Sequence, residues 1–197
     1  MARSQSVNLF FIRLMNNDNK TQREFENVMA ECRKIFADKL HDYGASWRIL
    51  RPSSLTDQLF IKAKRIRSLE IKRVSLVGDG IRPEFIALIN YGIVGLIQLD
   101  KGFSDTTDVS QDEALAMYDR HSQEALQLML KKNHDYDEAW RGMRVSSYTD
   151  FILTKLQRIK EIEDLEGKTL VSEGIASNYM DIINYAVFGA IKLNKND

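Results

Sequence analysis

The sequence predicts an all-α protein, an internally duplicated helical bundle with about three main helices per half. Three observations predict it. Apolar residues recur at helical spacing, no stretch sustains the period-two alternation of a strand, and one long motif occurs twice. Two prolines in 197 residues leave few helix breakers.

The duplication is read directly. His41-Asp42-Tyr43-Gly44-Ala45-Ser46-Trp47-Arg48 returns 93 residues later as His134-Asp135-Tyr136-Asp137-Glu138-Ala139-Trp140-Arg141. At the same offset Arg51, Ser53, Ser54, Thr56 and Asp57 recur as Arg144, Ser146, Ser147, Thr149 and Asp150. Lys62, Arg65, Ile66 and Glu70 recur as Lys155, Arg158, Ile159 and Glu163. One residue of slip later, Gly80-Ile81 matches Gly174-Ile175, and Ile89-Asn90-Tyr91 matches Ile183-Asn184-Tyr185. The halves span 21–100 and 108–194 and are expected to form one globular domain. Residues 1–20 read as an N-terminal extension, with Asn16-Asn17-Asp18-Asn19-Lys20 as a linker.

Each half then resolves into helices in order. Phe25, Val28, Met29, Cys32, Ile35, Phe36 and Leu40 form one apolar face. Its counterpart begins at Ser110-Gln111-Asp112-Glu113, a capping box, and continues through Leu115, Tyr118, Ala125, Leu128 and Met129. The His-Asp-Tyr…Trp-Arg motif reads as a loop. Second helices are expected from Thr56-Asp57 and Thr149-Asp150. Third helices are expected from Pro83 and Ser177, apolar on nearly every side and therefore central, packed on each other through a pseudo-twofold.

Charge and composition narrow the function classes. Lys plus Arg and Asp plus Glu both number 28, so the net charge is zero, which argues against adhesion to nucleic acid or an anionic membrane. The longest apolar stretch, 85–99, is too short to span a bilayer. One cysteine, Cys32, excludes an internal disulfide and fits a reducing cytoplasm. Cys32 and His121 read as core residues. No phosphate loop, dinucleotide fingerprint or nucleophile elbow occurs.

Several polar residues fall where a core is expected. Lys155 and Glu163, with Lys62 and Glu70 in the first copy, lie near the apolar stripes of the second helices. They read either as ion pairs at a packing surface or as metal and phosphate ligands. On the third helices Asn178, Asp181 and Tyr185 form a polar stripe with Asn184 at its edge; their counterparts are Glu84, Ala87, Tyr91 and Asn90. Asp181 stands a full turn inside its helix and marks the second copy as the more functional. Each motif also gathers aromatic rings, arginines and a helix N-terminus, which suits either a loop staple or a phosphorylated ring.

Lys-x-His-Asp-Tyr-Gly…Trp-Arg, the Lys…Arg-Ile helix and the terminal Asn-Tyr-Ala helix together resemble the nucleotide-modification-associated domain family. The resemblance covers about 25–194 and implies association with phage and bacterial nucleotide-modification systems. Pro52 and Ala87 depart from it in the first copy, and Asp137 replaces Gly44 in the second. A weaker resemblance runs to all-α nucleoside triphosphate pyrophosphohydrolases, whose paired helices hold Mg²⁺ through carboxylates. It implies Glu163 and Asp181 as catalytic metal ligands, although Lys160 stands where a further carboxylate belongs and Glu166 has Arg73 as its counterpart.

The resulting expectation is a nucleotide-handling protein, a Mg²⁺-dependent diphosphohydrolase of a nucleoside or pterin triphosphate, with a non-catalytic nucleotide- or protein-binding module as the alternative. Mg²⁺ would polarise phosphoryl oxygens and activate water. The substrate-binding set is His134, Asp135, Tyr136, Trp140, Arg141, Arg144, Lys155 and Asn184. Its first-repeat equivalents are His41, Asp42, Tyr43, Trp47, Arg48, Lys62, Glu70 and Glu84. Assembly into a homo-oligomer is left open.

Overall fold

The computed structural model describes residues 2–76, 78, 80–165 and 174–194, with side chains from residue 20 onward. Six helices follow one another: α1 (Ala2–Tyr43), α2 (Pro52–Lys72), α3 (Arg82–Lys101), α4 (Gln111–Tyr136), α5 (Val145–Asp164) and α6 (Ile175–Leu193). Short 3-10 turns, Ser46–Ile49 and Ala139–Gly142, join α1 to α2 and α4 to α5. No strand occurs among the described residues.

Local chemistry sets most of these boundaries. Pro52 and Pro83 sit in first turns, where the missing N–H costs nothing. Ser110 caps α4 by accepting a hydrogen bond from the Glu113 amide at 3.3 Å. The Glu113 carboxylate completes no capping box; it pairs with Lys101 at 2.7 Å. Gly44 and its counterpart Asp137 both take the left-handed conformation that ends a helix, φ 61° and 47°. Glycine adopts it without a Cβ penalty, and aspartate is among the few other residues that tolerate it.

Some boundaries differ from the sequence expectation. The stretch expected as a linker, Asn16 to Lys20, lies inside α1, because no proline or glycine interrupts residues 1–43. His41-Asp42-Tyr43 and His134-Asp135-Tyr136 are the last turns of α1 and α4, so the motif begins on a helix and only its Trp-Arg half is a turn. The helices α2 and α5 start about a turn before Thr56 and Thr149, and α6 starts two residues before Ser177. Glu166 lies outside the described residues.

Packing follows the duplication. The most extensive contact is between α3 and α6; α2 and α5 pack on them and on each other, while α1 pairs with α4 across the bundle. Contacts are exchanged reciprocally. A Cβ at Gly95 would lie 2.8 Å from the Tyr179 ring, and one at Gly189 would lie 2.7 Å from Phe85, the counterpart of Tyr179. Each central helix thus seats the other's aromatic ring against its glycine. Lys160 pairs with Asp57 at 2.7 Å, and their counterparts Arg67 and Asp150 approach to 3.8 Å. Such exchange is the signature of a twofold interface. The core that results is continuous across both halves, from Phe25 to Ile191.

Candidate functional site: one pocket in each repeat

Two cavities, of about 570 Å³ and 300 Å³, lie at equivalent places in the two halves. Each is bounded by the C-terminal end of the repeat's first helix, the 3-10 turn and the third helix. The walls use corresponding residues: Lys39, Tyr43, Trp47, Asn90 and Tyr91 in the first, and Lys132, Tyr136, Trp140, Asn184 and Tyr185 in the second. Where Ala87 lines the first pocket, Asp181 lines the second. The small side chain at 87 accords with the larger volume. Both volumes fall within or near the range of small-molecule sites, about 300–1,000 Å³.

The turns that carry the tryptophans are fixed from below. Gln98, near the end of α3, donates through Nε2 to the carbonyls of Trp47, Arg48 and Leu50 at 3.2, 3.1 and 3.0 Å. Lys192, its counterpart on α6, donates to the carbonyls of Arg141 (2.9 Å) and Met143. Each third helix therefore holds its own turn through one long side chain. Arg48 is 2% exposed and adds a second clamp, bonding Asp108 at 2.7 Å, Gln98 and the Gly102 carbonyl. That pairing holds the Asp108 carboxyl below the ordinary range. Arg141 pairs with Glu138 at 2.6 Å and Glu24 at 2.7 Å and lies 4.3 Å from the centroid of the Trp140 ring. Burial acts to raise the Glu138 carboxyl, but hydrogen bonds from Arg141 and Thr21 hold it below its usual range.

These geometries reassign several residues expected to bind substrate. Arg48 and Arg141 are engaged in holding the turns. Trp140 stacks on Phe188 at 4.3 Å with the Arg141 guanidinium over its ring, so both faces are covered and neither receives a ligand ring. The exposed rings at the second pocket are Tyr136 and Phe151, the latter packed on Tyr185 at 5.4 Å. His41 pairs with Asp42 and His134 with Asp135, both at 3.2 Å, on exposed helix ends outside the pockets. Arg144 is exposed at the start of α5.

The charged residues of the core separate into two sets. Asp181 is 6% exposed and accepts from Lys132 at 2.5 Å through Oδ1 and from Lys155 at 2.6 Å through Oδ2. In the first repeat a carboxylate one turn earlier on the third helix, Glu84, lies between two cations, Lys62 at 3.2 Å and Arg65. Both triads carry one excess positive charge. Glu163 and Glu70 belong elsewhere, on the seam between α2 and α5. They accept from threonine hydroxyls of the opposite repeat, Thr56 and Thr149, and not from the lysines of their own helices. Burial raises both carboxyls, and the threonine bonds offset part of that shift. His121 is held between Glu124 at 2.8 Å and Asp100 at 3.2 Å.

The second pocket has one further peculiarity. Asn184 is 5% exposed, and neither its Oδ1 nor its Nδ2 has a hydrogen-bond partner. Trp140 Nε1 is likewise buried without a partner. Buried amides are almost always paired, so the site holds donor and acceptor capacity that nothing in the chain uses. Asn90, its counterpart, accepts from Tyr118 Oη at 2.8 Å. The pocket lysines Lys39 and Lys132 lie outside the site expected from sequence, although they recur at the repeat offset and open the motif shared by both copies.

Among the described residues no three His, Cys, Asp or Glu side chains gather into a group that could hold a metal ion. No described helix is long and apolar enough to cross a membrane. No curated protein and no solved structure matches the chain. The family model for nucleotide modification associated domain 1 does match, once over residues 39–99 and again over 132–193. Those two segments are the two repeats from the pocket lysine to the end of the third helix. The chain belongs to the nucleotide modification associated domain 1 family and carries that domain in tandem.

Proposed function

We propose that the chain is a binding module for phosphorylated heteroaromatic molecules, nucleotides or pterin phosphates, with one pocket in each repeat. The observation that supports this most is the equivalence of the two pockets, both walled by lysine, tyrosine, tryptophan and asparagine from the same motif. The exposed rings of Tyr43 and Tyr136 suit a flat ring, and a lysine at the rim suits phosphate. The unused amide of Asn184 suits the polar edge of such a ring.

Hydrolysis has less support. A Mg²⁺ site needs several oxygen ligands converging on one point. Asp181 already carries a lysine ammonium on each oxygen, and those positive charges oppose a further cation, while Glu163 accepts from Thr56 on the α2–α5 seam. The residues present do not fit the ion, and nothing in the binding reading runs through it.

Calorimetric titration with a panel of nucleoside mono- and triphosphates tests the proposal. Binding should weaken as salt is raised, and Lys132→Ala should cost more affinity for the phosphorylated ligand than for its nucleoside. Absence of binding across nucleotides and pterin phosphates would overturn it. Mg²⁺-dependent release of phosphate or pyrophosphate in the same mixtures would restore the hydrolase.

A further inference from the structure

We propose that the second pocket selects rings whose edge presents an amino group, a ring N–H and a carbonyl in a row. Guanine and pterins share that edge. The inference rests on the binding reading above and specifies which ligand the site takes.

Asp181 and Asn184 stand three residues apart on α6, hence on one face, and both line the 300 Å³ cavity. They are 6% and 5% exposed, so a ligand group meeting them leaves water behind. An ionised carboxylate offers about four lone-pair positions. Lys132 and Lys155 occupy one on each oxygen, which leaves each oxygen able to accept again. Asn184 contributes the two unused N–H donors of Nδ2 and one unused acceptor, Oδ1. The available set therefore places the acceptors of a carboxylate beside the donors of one amide. A guanine edge is complementary to it. The amino group and ring N–H donate to the carboxylate, and the carbonyl accepts from the amide.

Other bases match less well. Adenine and cytosine present a ring-nitrogen lone pair beside their amino group, and a buried carboxylate repels it. Hypoxanthine keeps the N–H and carbonyl but lacks the amino donor. The first pocket lacks this arrangement: Ala87 stands for Asp181, the pocket carboxylate Glu31 lies on α1 in a two-pronged pair with Arg82, and the Asn90 oxygen is already bonded to Tyr118. Selectivity for the edge is therefore confined to one site per chain.

The experiment titrates the unmodified chain with GMP, IMP, AMP and neopterin monophosphate, then repeats the series with Asp181→Asn. GMP should bind roughly 10- to 100-fold tighter than IMP or AMP, the range for one lost hydrogen bond to a charged group. One selective site per chain should be found. Neopterin monophosphate binding as tightly as GMP supports the shared edge, and tight binding of only one of them identifies the source. In Asp181→Asn the GMP-to-IMP ratio should fall toward one, with the melting temperature recorded alongside. If that variant does not fold, the comparison of GMP with IMP on the unmodified chain decides alone. Equal affinity for GMP, IMP and AMP, or preference for AMP, overturns the inference and leaves the binding module standing. No binding by any of the four overturns the inference, and the wider panel then decides the fate of the module.

Discussion

Thr56 donates a 2.7 Å hydrogen bond to Glu163, and the return contact, Thr149 to Glu70, measures 3.0 Å. Each bond joins the two repeats, so the carboxylates belong to the seam and not to the pockets. Their charge is held there against burial, which raises both above the ordinary value of 4.5.

The sign of the pH effect follows from that shift. A raised folded pKa means the native state holds the proton more tightly than the unfolded chain. The cost of the charges is therefore complete above the raised value and is relieved as pH falls through it toward 4.5. Glu70→Gln combined with Glu163→Gln should match or exceed the unmodified chain in melting temperature at pH 7.5, and its advantage should shrink as pH falls toward 4.5 and vanish only below it. With these half-exposed groups screened by water, the gain should be about 1–2 °C. A thermal scan across this range checks it; a loss greatest at pH 7.5 would contradict the sign.

Asp181→Ala removes the one carboxylate between Lys132 and Lys155. Losing this bridge between two lysines should cost roughly 3 kcal/mol, less than for a wholly buried pair because Lys132 is half exposed. Chemical denaturation should show it. Adding Lys155→Met should recover part of the loss, and a strictly additive double variant would mean that the pair is not coupled.

Gly95→Ala and Gly189→Ala press a methyl group onto the rings of Tyr179 and Phe85. Each should cost about 1–3 kcal/mol, as over-packing does in a close-packed core. The two losses should be similar, because the contacts are reciprocal. Neutrality at both positions would mean that α3 and α6 sit farther apart.

Arg48→Met keeps the length of the side chain and abandons Asp108, Gln98 and the Gly102 carbonyl. A stability loss of roughly 2–4 kcal/mol is expected from these orphaned partners. Ligand affinity at the second pocket should stay within about twofold, since the clamp belongs to the other repeat. A selective loss of phosphate affinity with intact stability would return Arg48 to the role its motif suggests.

Much of the fold was legible in the sequence because duplication and helical periodicity are local or self-referring patterns. The central position of α3 and α6 followed from their apolar composition, and the burial of Asp181 from its place inside α6. What escaped depended on distant partners. Arg48 reads as a phosphate ligand until Gln98 and Asp108 arrive from 50 and 60 residues away. Glu163 reads as a metal ligand until the other repeat supplies Thr56. Trp140 looks available for stacking until Phe188 closes one face and Arg141 the other. The helical run through Asn16 to Lys20 is hard to read in the sequence because weak propensity resembles a break although no breaker stands there.

The reciprocal seating of Phe85 and Tyr179 against Gly189 and Gly95 makes the chain a dimer written on a single polypeptide. Dilution cannot separate its halves, because each meets the other at the effective concentration its connection sets. In a homodimer every substitution appears twice, so losing an aspartate from one pocket means losing it from both. Covalent fusion lifts that constraint. Residue 87 can be alanine while residue 181 stays aspartate, and a symmetric scaffold can carry two recognition surfaces that evolve independently.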